Sequence, residues 1–107
     1  MTFAIDFDGV IHDWEHPIEG RRMGPPFKGA KEALDQLYHA DHKIIIHSCN
    51  RPAIIRKWME FYNLPFAYIW GESPSDLGQK PIADFYIDDR AVRFNGDWAA
   101  TMQEVGL

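Results

Sequence analysis

The chain is short of the features that mark secreted, membrane-bound and nucleic-acid-coating proteins. A single cysteine, Cys49, among 107 residues cannot form an internal disulfide, so a reducing, cytoplasmic setting is expected. From Met1 the sequence runs directly into an apolar segment without the charged and apolar stages of a signal peptide. No stretch approaches the roughly 20 apolar residues that span a bilayer, so no membrane association is expected. Positive charge is scarce as well: 11 Lys and Arg stand against 16 Asp and Glu, a net charge of −5. Nucleic acid is therefore not a favoured partner, since it is held by basic surface, although a local patch would still serve. Arg21 and Arg22 lie side by side in a loop able to lean over a site, but a solvated pair is the simpler reading. Neither G-x-x-x-x-G-K-[ST] nor G-x-G-x-x-G occurs, which removes the usual triphosphate and dinucleotide cradles.

What remains is ordinary globular composition, 46% hydrophobic and 25% charged, with no repeat or low-complexity tract. One domain over residues 1–107 is expected. Strand and helix signals alternate, which predicts parallel strands joined by crossover helices. Thr2-Phe3-Ala4-Ile5 reads as the first strand, and Gly9 opens a long loop kept irregular by Gly20, Gly24, Pro25 and Pro26. Ala30, Ala33, Leu34, Leu37 and Tyr38 form a helical stripe. The β-branched run Lys43 to His47 reads as a strand buried on both faces. A second helix starts at Pro52 and carries Ile54, Ile55, Trp58, Met59 and Tyr62. Phe66 to Trp70 reads as a third strand, Gly71 to Gln79 as a loop and Asp84 to Ile87 as a fourth strand. Asp97 caps a last helix with Trp98, Met102 and Val105 on one face. The expected architecture is an α/β three-layer sandwich, Rossmann-like, with a small parallel sheet; right-handed crossovers, together with a catalytic meeting of the first, second and fourth strands, favour the order third, second, first, fourth.

That order brings two acid pairs together. Asp6 and Asp8 close the first strand and, being alternate residues, project to one side; Asp88 and Asp89 close the fourth. Four carboxylates at one sheet edge repel one another, and a divalent cation is the simplest way to hold them. Ser48 closes the second strand just before a helix, where a hydroxyl meets an anion or caps the helix. Cys49 as a phosphatase nucleophile fails, because the arginine wanted six positions on is Ile55. His12 and His16 have the i, i+4 spacing of metal ligands but lack the zinc-protease residues between them, and loop histidines are usually solvated.

Asp6-Phe7-Asp8-Gly9-Val10, Ile46-His47-Ser48, Lys80 and Tyr86-Ile87-Asp88-Asp89 resemble, in this order, the four motifs of the haloacid dehalogenase superfamily of phosphohydrolases. The resemblance implies that Asp6 attacks a phosphoryl group and that Asp8 acts as general acid and base. It further implies that Ser48 and Lys80 contact the phosphate, with Cys49, Asn50, Arg51 and Arg90 around the substrate. Mg²⁺ would be held by Asp6, the Asp8 backbone carbonyl, Asp88 and Asp89. Lys80 is separated from the fourth strand by only three residues, so it reaches the site only if that segment folds back; Lys28 is the substitute cation. The gaps between motifs are too short for the cap domains of larger relatives, which implies a capless enzyme open to large phosphorylated substrates. Closure would come from the ligand, another subunit of a homo-oligomer, or the loop from His12 to Pro26, with Trp14, Tyr68 and Trp70 as stacking surfaces. The alternatives are a polynucleotide 3′-phosphatase that processes ends, a non-catalytic metal- or partner-binding relative, and a receiver-like signalling domain. The last would require an acid closing the third strand, and Phe66 to Gly71 has none.

Overall fold

The computed structural model describes residues 1–20 and 23–107; Arg21 and Arg22, and the reading of that pair, lie outside the described residues. Four parallel strands, β1 (Thr2–Asp6), β2 (Lys43–His47), β3 (Tyr68–Ile69) and β4 (Phe85–Ile87), form one sheet in the order β3-β2-β1-β4. This is the expected order. Helix α1 (Ala30–His39) joins β1 to β2, helix α2 (Pro52–Phe61) joins β2 to β3, and α3 (Trp98–Glu104) follows β4. The architecture is an α/β, Rossmann-like sandwich without a cap domain. Among the described residues, no helix is long and apolar enough to cross a membrane.

Register explains which face carries the core. Phe3 pairs with Ile44 and Phe85, and Ile5 with Ile46 and Ile87, so these side chains share one face. Two right-handed crossovers in the same direction put α1 and α2 on that face. Leu34 of α1 and Ile55, Trp58 and Met59 of α2 close over Ile5, Ile44, Ile46 and Ile69 to form the core. On the opposite face the return from β3 to β4 forms the third layer, with a 3₁₀ turn at Pro74–Asp76 in place of a longer helix. The Tyr68 hydroxyl donates to Asp76 there, and the Tyr86 hydroxyl donates to the Pro81 carbonyl at 2.5 Å. Tyr68, Gly71 and Ser73 all donate to Asp76, which hold its carboxyl below the ordinary aspartate range, Tyr68 most strongly.

Two elements depart from expectation. Strand β3 is only two residues long, although Ala67 and Trp70 donate ladder bonds to Ile44 and Ile46 on either side of it. Pro65 has no N–H to extend the pairing, and Gly71, at φ 102°, turns the chain away. Helix α3 forms where expected, with the Asp97 carboxylate accepting from Ala100 N–H at 3.2 Å. Its Cα atoms come within 8 Å of no other helix or strand among the described residues, and none of its residues is fully buried.

A surface ion pair ties α2 to the segment after β3. Arg56 donates Nε and Nη2 to the two Glu72 oxygens at 2.8 and 2.7 Å. The guanidinium holds the Glu72 carboxyl below the usual glutamate range. Such a pair stabilises the fold above the unfolded glutamate pKa and stops doing so as pH falls through the lowered folded value. Glu72→Gln is therefore expected to cost up to about 1 kcal/mol at neutral pH, since Arg56 is well exposed. The difference from wild type should vanish in acid, which urea melts across pH will check; a gap that persists at pH below the carboxylate range contradicts the assignment.

Candidate functional site

The carboxyl ends of β1, β2 and β4 open into one cleft of about 590 Å³. Asp6, Asp8, Asp88 and Asp89 line it, with Ser48 and Arg90 beside them. Carboxylate oxygens of Asp6, Asp88 and Asp89 lie within 4.8 Å of one another. Among the described residues no lysine or arginine makes an ion pair with any of these four acids. Burial pushes the Asp6 carboxyl above the ordinary aspartate range; Asp88, Asp89 and Asp8 push it further, against a lowering bond from Phe7 N–H at 2.8 Å. Three carboxylates this close make an all-oxygen donor set, the kind that hard divalent cations such as Mg²⁺ and Ca²⁺ take. The donor chemistry fits a divalent cation.

Glycine is required between the two acid pairs. Gly9 has φ 85°, and a Cβ there would stand 2.5 Å from Asp89 Oδ2. The carboxylate of Asp89 thus passes over the bare backbone of the Asp6-to-Gly9 turn. Phe7 carbonyl stitches that turn by accepting from Val10, Ile11 and His12 N–H.

His12 is the residue that sequence reading missed. It is not a solvated loop histidine: only 4% is exposed, its ring stacked on Phe7 at 5.0 Å and edge-on to Trp58 at 5.4 Å. Gly24 N–H donates to His12 Nε2 at 2.8 Å, and a backbone amide can only donate. The ring proton therefore sits on Nδ1, which donates to Asp8 Oδ1 at 2.7 Å. The Gly24 carbonyl in turn accepts from Trp58 Nε1 at 3.1 Å. A chain of hydrogen bonds thus runs from α2 to one oxygen of Asp8. The Asp8–His12 separation of four residues across a glycine turn was the available signal. His16, by contrast, is exposed and pairs with Asp13 at 3.0 Å.

Other expected site residues divide. Cys49 and Trp14 line the cleft, as does His47, the register partner of Asp6, which belongs to the second motif but carried no expected role. Ser48 Oγ accepts from Asn50 N–H at 3.1 Å, which leaves its own hydroxyl proton free for another acceptor. Asn50 and Arg51 are not part of the lining: the Asn50 side chain accepts from Arg51 N–H at 2.8 Å, and Arg51 stands at the N-cap position of α2 without a side-chain cap bond. Lys80 is a correction. Its segment does fold back, but around Tyr86, with the ammonium 4.3 Å from the ring centroid and Ala83 N–H on the Tyr86 hydroxyl at 3.2 Å. This places it beside β4 and outside the cleft lining. Lys28 lies in a different groove, between α1 and β4. Tyr68, bound to Asp76, and Trp70, which donates to the Gln79 carbonyl, do not line the cleft.

The chain is similar to a solved structure of a conserved protein from Bacteroides thetaiotaomicron. The two are 29% identical, the match covers 98% of this chain and 88% of that one, and the TM-score is 0.65. No protein-family profile and no curated protein matches the chain. The likeness carries the α/β architecture over nearly the whole chain and brings no activity with it.

Proposed function

We propose that this protein is a phosphomonoester hydrolase of the capless haloacid dehalogenase type, with Mg²⁺ as cofactor. The observation that supports this reading is the meeting of Asp6 and Asp8 with Asp88 and Asp89 at the ends of adjacent strands, in a cleft bordered by Ser48. An Asp6 oxygen attacks phosphorus and the bond to the leaving oxygen breaks, giving an aspartyl phosphate on Asp6. Asp8 delivers its proton to the leaving oxygen. It then accepts a proton from the water that attacks the same phosphorus, which frees Asp6 and releases inorganic phosphate. His12 occupies Asp8 Oδ1 as a donor, so Oδ2 is the oxygen that carries the proton. Ser48 donates its hydroxyl to a non-bridging phosphoryl oxygen, and Arg90 is the cation of the lining best placed for the rest of the substrate. Mg²⁺ held by Asp6, Asp88 and Asp89, with the Asp8 carbonyl, would neutralise the charge that keeps an anionic nucleophile from an anionic ester.

One observation favours a second reading, hydrolysis at a nucleotide or oligonucleotide 3′ end. Trp14, 48% exposed at the cleft, presents a ring on which a base stacks. Phosphate release should be measured from an aryl phosphate and from a 3′-phosphorylated oligonucleotide, with Mg²⁺ and with EDTA. Mg²⁺-dependent release from the aryl ester is expected. Equal rates in EDTA, or no release from either substrate, would overturn the reading.

A further inference from the structure

Away from the cleft, the carboxyl-terminal arm and the sheet beside it leave apolar surface uncovered. Trp98 is 69% exposed, and Met102 and Val105, which share its helix face, lie open with it. On the core face of the sheet, Phe85 and Ile87 of the edge strand β4 are exposed as well. Between β4 and α1 runs an apolar groove of about 220 Å³, floored by Ile5, Val10 and Ile87 and walled by Ala33 and Leu37. We infer that α3 of one chain docks in this groove on a second copy, and that two copies exchange their helices about a two-fold axis.

Size, polarity, shape and area each support that occupant. The groove is smaller than the roughly 300–1,000 Å³ of small-molecule sites, so it takes protruding side chains rather than a free ligand. The Trp98–Met102–Val105 face of α3 carries no charge, and the groove is lined by apolar side chains apart from Lys28, so the two surfaces match in polarity. The radius of gyration is 15.2 Å, against about 13 Å for a compact domain of this length, and the α3 backbone lies apart from the other helices and strands. An unpartnered helix and an unfilled groove on the same chain satisfy each other when the exchange is reciprocal, and a two-fold pair leaves neither over. Covering Phe85 and Ile87 beside the groove, Trp98, Met102 and Val105 on the helix, and Phe94, whose ring packs on Trp98 at 5.0 Å, at on the order of 100 Å² each, buries roughly 1,200 Å² in a pair. Stable interfaces need about 1,200–2,000 Å².

Light scattering on the full chain, from about 1 to about 100 μM, tests this. The wild-type protein is expected to have the mass of two chains. Trp98→Glu with Val105→Glu alters the docking helix, and Ala33→Trp fills the groove from α1; each should halve the mass while circular dichroism stays unchanged. All three positions are outside the core, so folding is not at stake. A wild-type monomer throughout, with the arm free or closed on its own chain, overturns the proposal. So does a dimer that survives either variant. Neither outcome bears on the phosphatase reading, which is measured separately.

Discussion

Asp6→Asn is expected to abolish phosphate release, by on the order of 10⁴-fold or more, while leaving the protein folded. Asparagine keeps the shape of the side chain and its bond from Phe7 N–H, but has no anionic oxygen to attack phosphorus. The same substitution should raise the melting temperature in EDTA at neutral pH. Asp6 is held above the ordinary aspartate range by burial first, then by Asp88, Asp89 and Asp8, so its ionised form works against the fold once pH exceeds the unfolded value. Removing that charge relieves the strain at neutral pH and changes nothing in acid, where Asp6 is already protonated. Thermal melts in EDTA at both pH values, beside turnover with Mg²⁺, read the two effects independently. Wild-type turnover in the variant would remove Asp6 as nucleophile; an unchanged melt would remove the crowding of carboxylates as a physical cost.

Much of this cleft was readable because its spacing rules are local. A D-x-D at a strand end puts two carboxylates on one side by pleat geometry alone, and the β-branched run from Ile44 to Ile46 declares a central strand. The order β3-β2-β1-β4 needed more than crossover handedness: it followed only once the acid pairs and Ser48 were required to meet at one edge, and in the structure it brings Asp88 and Asp89 next to Asp6. What escaped depends on contacts between distant residues. His12 looks like a loop histidine until Phe7 and Trp58 are seen to enclose it, and Trp58 comes from the second crossover helix. Lys80 could reach the cleft only through a fold-back, and that the segment instead closes on Tyr86, through its ring and its hydroxyl, has no sequence pattern. The stripe of α3 was legible as a stripe; periodicity reports an apolar face and not the molecule that covers it.

Gly24→Ala is expected to be among the most destabilising single substitutions in the chain, at about 2–4 kcal/mol, because a methyl group there has nowhere to go. A Cβ at this position would lie 1.9 Å from the Asp13 carbonyl oxygen and 3.2 Å from that of His16, and both are backbone. The loop must open to admit it. Opening separates Gly24 N–H from His12 Nε2 and the Gly24 carbonyl from Trp58 Nε1, so the restraint on Asp8 is lost with the stability. At this chain size the melting temperature should fall by on the order of 10 °C. His12→Ala should also destabilise, through loss of a ring packed between Phe7 and Trp58 and through an unpaired Gly24 amide. Because the two changes remove the same hydrogen bond, the double variant should lose less than the two single losses combined. Urea melts of all four proteins give that coupling directly. Strict additivity would mean that Gly24 and His12 act separately, and a Gly24→Ala protein melting with wild type would show that the loop yields without cost.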